Sequence, residues 1–151
     1  MSLRLSEKEL KKILKNNTDV KVNKNNKYHN QKMIVDGLRY DSKKEYQRHQ
    51  YLILLEKSNK ISNLRFHDKK DTVILQDEPL ITYIPDFCYE ENGILIIEDL
   101  KGFQTKEFKL KKKMLIKKIM QKEIIAKLRL TKYESGTFKI IEEYSAKSTS
   151  D

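Results

Sequence analysis

The chain has 151 residues, 38% of them hydrophobic and 36% charged, which suits one domain with a real but modest core. Its 32 Lys and Arg against 22 Asp and Glu leave a net charge of +10, a field that attracts nucleic acid, an anionic membrane surface or an acidic partner and names no activity. Apolar runs fall short of the roughly 20 residues that cross a bilayer, the charged opening MSLRLSEKELKKILKNN does not read as a secretory signal, and the lone Cys88 excludes an internal disulfide framework or a Cys-based zinc site. An intracellular protein without a membrane segment is expected.

In chain order, Ser6 with Glu9 three residues later forms a capping-box pattern before Leu10, Ile13 and Leu14 at helical spacing. The Asn- and Lys-rich stretch NNTDVKVNKNNKYHNQK then reads as a flexible linker, so residues 1–30 are expected to form an arm. Asp36-Gly37 between short apolar runs signals a β-hairpin. DSKKEYQRHQYLILLEKSNKI is the strongest helix, with Ser42 as N-cap, and NLRFHDKKDTVIL opens another extended region. After a turn at Asp77-Glu78-Pro79 comes a hairpin turning at Glu91-Asn92-Gly93. TKEFKLKKKMLIKKIMQK reads as a second helix capped by Thr105. From Ile124 onward two strands flank Ser135-Gly136, and a disordered tail, residues 145–151, is expected to follow. The order is arm, ββ, α, β, ββ, α, ββ, a mixed α/β domain over 31–144 built around one sheet.

The stretch YIPDFCYEENGILIIEDLKG, Tyr83 to Gly102, holds charges where a buried hairpin should be apolar. Strand residues two apart share a face, so Leu95, Ile97, Asp99 and Lys101 point one way, and Ile84, Asp86 and Cys88 share a face of the preceding strand. If those faces coincide, two carboxylates and an amine meet at the edge of an apolar patch. Unpaired burial there is costly, so the charges must pair, reach water or bind a cation. Carboxylate oxygens suit Mg²⁺. Plainer readings exist: Asp99 and Lys101 as a solvated pair, Asp86 as a strand-edge residue, and Glu45 as the far half of a capping box begun by Ser42. Glu98 points away from Asp99 and reads as a surface or sheet-edge charge.

This arrangement resembles the PD-(D/E)xK nuclease superfamily, with Pro85-Asp86 as its PD and Asp99-Leu100-Lys101 as its (D/E)xK. Glu9-x-Lys11, Asp19-x-Lys21, Asp41-x-Lys43, Asp68-x-Lys70 and Glu107-x-Lys109 share the tripeptide spacing. Only Asp99-x-Lys101 ends an apolar strand behind a Pro-Asp. VDGLRYDSKKEYQRHQYLILLE, YIPDF and IIEDLKGF look more narrowly like small phage and prophage nucleases related to Holliday junction resolvases, with similar strings in Tn7-type transposase endonuclease subunits. The likeness runs from about Lys27 to Lys113; the arm and the final hairpin lie outside it.

The resemblance implies a restriction-endonuclease-like core, a central mixed sheet flanked by helices, and a Mg²⁺-dependent endodeoxyribonuclease for which Mn²⁺ substitutes. By the same resemblance Asp86 and Asp99 hold the metal, Glu45 is a further ligand or orients water, and the Leu100 carbonyl coordinates. Lys101 positions the attacking water, and products carry 5′-phosphate and 3′-hydroxyl ends. The substrate implied is branched DNA such as a Holliday junction, cut by a homodimer, with Leu10, Ile13 and Leu14 a candidate dimer surface. His49, one turn after Glu45, could touch a substrate phosphate or a metal-bound water, but a lone histidine is more often structural; His29 and His67 show no clear partners. At about 100° per residue Lys111, Lys118 and Lys122 fall on one stripe, a candidate DNA contact or an ordinary solvated face, while Phe108, Leu115 and Ile119 fall on another that packs on the sheet. The alternatives are a non-catalytic DNA-binding module, a transposase-type subunit working with a partner, and, least supported, a basic RNA-binding protein.

Overall fold

The computed structural model describes Lys8, the backbone of Val20–Asn23 and residues 32–147. The Ser6-capped helix, most of the arm and tail residues 148–151 lie outside the described residues. The strands are β1 (Val20–Asn23), β2 (Lys32–Val35), β3 (Leu38–Tyr40), β4 (Ser62–Phe66), β5 (Val73–Gln76), β6 (Ile81–Tyr83), β7 (Phe87–Glu91), β8 (Ile94–Leu100), β9 (Lys127–Glu134) and β10 (Thr137–Tyr144). Helix α1 (Lys43–Lys57) follows β3, and α2 (Lys106–Met120) follows β8.

Local chemistry accounts for these boundaries. Ser42 is extended and its Oγ accepts the Glu45 N–H at 3.1 Å, which starts α1; Thr105 Oγ1 accepts the Phe108 N–H at 3.1 Å and starts α2. The β7–β8 hairpin turns on Asn92 (φ 52°) and Gly93 (φ 76°), and the β2–β3 and β9–β10 hairpins likewise place two residues in this left-handed region, at Asp36-Gly37 and Ser135-Gly136. Such turns match the right-handed twist of the strands they join.

The central sheet has the order β10-β9-β8-β7-β4, with β8 and β9 parallel and the other pairs antiparallel. A parallel pair needs a crossover, and α2 supplies it. Alternation along the strands sorts the core into two layers. Phe87, Tyr89 and Ile96 pack with Leu52 of α1 on one face. Cys88, Ile97, Leu128 and Leu130 pack with Leu115 and Ile119 of α2 on the other. The fold is therefore α/β with a mixed central sheet between two helices.

Three features differ from the sequence expectation. There are three sheets among the described residues rather than one: β1-β2-β3 and β5-β6 stand beside the central five strands. Val20–Asn23, inside the stretch read as a linker, pairs antiparallel with β2. The strand expected from Tyr83 divides at Pro85, which has no N–H to give a ladder; β6 pairs with β5, and β7 starts only at Phe87.

The reading of Glu98 as a surface charge is incorrect. Its side chain is fully buried on the α1 face of the sheet. Arg48 of α1 grips it in a fork, Nε to Oε1 at 2.6 Å and Nη2 to Oε2 at 3.1 Å. Thr131 Oγ1 donates to Oε1 at 3.0 Å, and the Tyr89 hydroxyl donates to Oε2. Arg129 extends the network to Tyr89, Glu91 and Glu143. Burial alone would push the Glu98 carboxyl up, but the Arg48 charge and the hydrogen bonds from Arg48, Tyr89 and Thr131 hold it below the ordinary glutamate value.

Candidate active site

The β7–β8 register pairs Cys88 with Ile97 and Phe87 with Glu98, so the next step brings Asp86 against Asp99. Each carboxylate is tied to the backbone of the other strand. The Asp86 N–H donates to Asp99 Oδ1 at 3.2 Å, and the Leu100 N–H donates to Asp86 Oδ2 at 2.9 Å. The Tyr83 hydroxyl, at the end of β6, donates to Asp99 Oδ2. Lys101 Nζ stands 4.0 Å from Asp99 Oδ1 and 4.3 Å above the centre of the Phe108 ring. The two faces identified from alternation do coincide.

Exposure separates the competing readings of these acids. Asp99 is 1% exposed and Asp86 9%, so Asp99 and Lys101 are not a solvated surface pair. Burial, and then the neighbouring Asp99 charge, push the Asp86 carboxyl well above the ordinary aspartate value, while Lys101 pulls it down. Burial and Asp99 likewise push the Tyr83 hydroxyl up. Two buried carboxylates in contact, with one ammonium beside them, form a site short of positive charge.

Glu45 reaches this end of the sheet from the opposite layer. Its backbone N–H completes the Ser42 cap, but its carboxylate does not close a capping box on Ser42. Oε1 instead accepts the Asp41 N–H at 3.3 Å and lies 3.2 Å from His67 Nε2. The same imidazole nitrogen is 3.7 Å from Asp86 Oδ1, so His67 stands between the two carboxylates. Hydrogen bonding to Glu45 raises the His67 pKa against the opposing effect of burial, with Glu45, Asp41 and Asp99 adding their charges. Ligand atoms of Asp41, Glu45 and His67 lie within 4.8 Å of one another. Capping and site membership thus use different atoms of Glu45.

Of the two histidines near this end of the sheet, His49 takes the structural role and His67 takes one its sequence position did not suggest. His49 is buried against Tyr40, Phe66 and Phe87, its Nδ1 is 2.7 Å from the Tyr40 hydroxyl, and burial pushes its pKa down to about 4. It is a neutral core residue. His67, without an evident partner in the sequence, is placed by the β4–β7 ladder, where Phe66 pairs with Phe87 and the His67 N–H donates to the Asp86 carbonyl at 3.0 Å. The only signal for it was that non-local pairing.

An open cleft of about 240 Å³ leads to the carboxylates, lined by Ile84, Lys101, Thr105, Phe108 and Lys111 among others. Lys111 lies at its wall and pairs with Glu107 at 3.2 Å. Lys118 pairs with Glu123 at 2.9 Å. Helix α2 stops at Met120, so Lys122 leaves the expected stripe; with φ 59° it sits in the following turn, near Ile94 at the opposite end of β8 from Asp99. Leu100 enters the site through its N–H. The larger pocket beside Lys122 is lined by aliphatic residues, lysines and Ser145, with no carboxylate.

A family model described as "Protein of unknown function (DUF1064)" matches residues 25–135, well over half of the chain, and the chain belongs to that family. No curated protein and no solved structure matches it. Among the described residues no helix is long and apolar enough to cross a membrane.

Proposed function

We propose that this member of the DUF1064 family is a divalent-metal-dependent endodeoxyribonuclease with a restriction-endonuclease-like core, acting on branched DNA. The observation that carries the reading is the reciprocal tie of Asp86 and Asp99, two buried carboxylates held in contact at the floor of a cleft with Lys101 at 4.0 Å. A fold has no need of such a pair, and their mutual repulsion is relieved by a cation.

The donor set fits Mg²⁺ or Mn²⁺. Asp86 and Asp99 supply hard carboxylate oxygens, the Leu100 carbonyl is the main-chain candidate, and Mg²⁺ usually takes one or two protein carboxylates while keeping waters. When bound, the ion supplies Lewis acidity and a template for the phosphodiester. Tyr83 orients the Asp99 carboxylate, and the backbone N–H of Leu100 orients that of Asp86. Lys101, steadied over the Phe108 ring, places positive charge where phosphate charge builds. Glu45 and His67 sit across from it, positioned to hold a proton or orient water.

The test is incubation with four-way, forked, flap and linear DNA in Mg²⁺, Mn²⁺ or EDTA. Metal-dependent cutting favouring a branched substrate is expected. Binding without cutting in either metal would leave only a DNA-binding module.

A further inference from the structure

The central sheet carries its positive charge in a line. Lys139 of β10 and Lys132 of β9 are direct cross-strand partners. Lys132 is in turn the neighbour of Lys101, because Leu100 pairs with Thr131 and the Lys101 N–H donates to the Thr131 carbonyl at 2.8 Å. Alternation puts all three on one face. Leu128 and Leu130 of β9 pack in the α2-side core with Ile97, so Lys132 points the same way, as Lys101 does after Ile97 and Asp99. Three lysines thus stand on adjacent strands, running from the carboxylates to the edge strand β10.

Like charges directly opposite one another weaken a sheet, and little here neutralises them. Among the described residues Lys132 has no acidic partner within ion-pair distance, and Lys139 has only Glu134 at 4.0 Å, with both side chains about half exposed. Of the seven lysines of α2, Lys111, Lys112 and Lys118 are each paired with a glutamate. With strands about 4.8 Å apart, the row spans about 10 Å at the backbone. That matches about three nucleotides at 3.4 Å of rise per strand. A line of ammonium groups that is anchored at the carboxylates through Lys101, is only loosely compensated beyond it, and is open at its outer end fits an extended polyanion.

We propose that Lys132 and Lys139 continue from Lys101 as a phosphate track, which seats the DNA backbone beside the phosphodiester to be cut. The inference rests on the nuclease reading for its direction and on the lysine row for its existence. It adds to the electrostatic surface the final hairpin, whose β10 strand lies beyond the family match at residue 135. Such contacts position a strand without reading bases.

The experiment compares wild type, K132Q/K139Q, the charge-keeping K132R/K139R, and K57Q/K60Q at the distant end of α1. Binding of fluorescent linear and four-way duplex DNA is titrated at several salt concentrations in EDTA, with folding checked by thermal melts. For K132Q/K139Q the dependence of log K on log salt should flatten by about 0.9 for each phosphate the protein no longer neutralises, on both DNAs. At moderate salt its Kd should rise about tenfold. The arginine variant and K57Q/K60Q should keep the wild-type slope. Should the double glutamine variant melt early, K139Q alone, at an exposed edge position, carries the comparison. A folded glutamine variant with the wild-type slope, or wild type that binds no DNA, overturns the track. Wild type that binds with the expected slope but cuts in no metal overturns the nuclease reading and leaves the track standing.

Discussion

Replacing Arg48 by Met strips the charged fork from a carboxylate that has no route to water. Glu98 would keep only the Tyr89 and Thr131 hydroxyls as donors. Leaving a buried charge without its partner costs about 3–5 kcal/mol, so R48M should melt roughly 6–12 °C below wild type even at the low end of that range. Glu98→Leu should be of similar severity, softened because the Arg48 guanidinium keeps the Tyr51 and Phe138 rings at 5.0 and 5.3 Å. The double variant R48M/E98L removes both charges. Arg129 still donates to the Tyr89 oxygen at 3.0 Å and Thr131 Oγ1 keeps the Asp99 carbonyl at 3.5 Å, which leaves the Tyr89 O–H as the main donor without an acceptor. It should fall within about 2 kcal/mol of wild type. Urea denaturation of the four proteins closes a double-mutant cycle, and strong non-additivity is the expected result. A double variant destabilised by the sum of the singles, or an R48M protein as stable as wild type, would refute the account of a desolvated, mutually dependent pair.

Asp86→Asn and Asp99→Asn should each abolish cleavage while metal-free DNA binding persists, as paired cleavage and binding assays would show; cutting at the wild-type rate would remove both residues from the site. Asp86 also gives a pH signature. Its folded-state pKa lies above the unfolded value, so its charged form disfavours folding, and the penalty grows as pH rises from the unfolded value toward the folded one. Apo D86N should therefore melt higher than wild type at neutral pH and lose that advantage in acid, which calorimetry across pH would measure. Glu98 has the opposite sign: with its folded pKa depressed, its stabilisation is present above the unfolded value and fades as pH falls through the folded one. Glu45→Gln keeps the backbone cap on Ser42 and should fold normally with cleavage reduced tenfold or more, on the order of a positioned acid–base group; near-normal rates would return Glu45 to capping alone. Lys101→Ala should lower the single-turnover rate at saturating DNA with little change in affinity, and an effect confined to affinity would count against its chemical role.

Features set by neighbouring residues were legible in the sequence. Ser42 and Thr105 cap the helices they were expected to cap, and the three two-residue turns fall where Asp36-Gly37, Asn92-Gly93 and Ser135-Gly136 stand. Alternation placed Asp86 and Asp99 each on one face of its strand, and the β7–β8 register makes those faces coincide. What was hidden depended on partners far along the chain. Glu98 looked superficial because Arg48 is 50 residues away, on a helix face that buries Glu45, Arg48 and His49 beside Tyr46 and Leu52. Charged residues on a buried stripe erase the apolar periodicity that would mark it. His67 was unreadable until β4 lay beside β7, and β6 left the hairpin because β5 offered it a ladder.

The site draws on both faces of the sheet, and this bears on how the chain matures. Asp99 and Lys101 point toward the α2 layer, whereas Glu45 arrives from α1, with His67 bridging at the sheet's end. A chain ended at Lys101 already carries every one of these residues but lacks α2 and β9, against which the Asp99 side of the sheet packs. The stretch through Lys101 emerges before β9, yet β8 has its parallel neighbour only once β9 is laid down. A nascent or partly melted chain would therefore be chemically silent, and under the proposed function DNA is protected from unfinished copies of its own cutter. Competence would arrive in a single step with the closing of the sheet, so activity would report complete folding more sharply than helix content does.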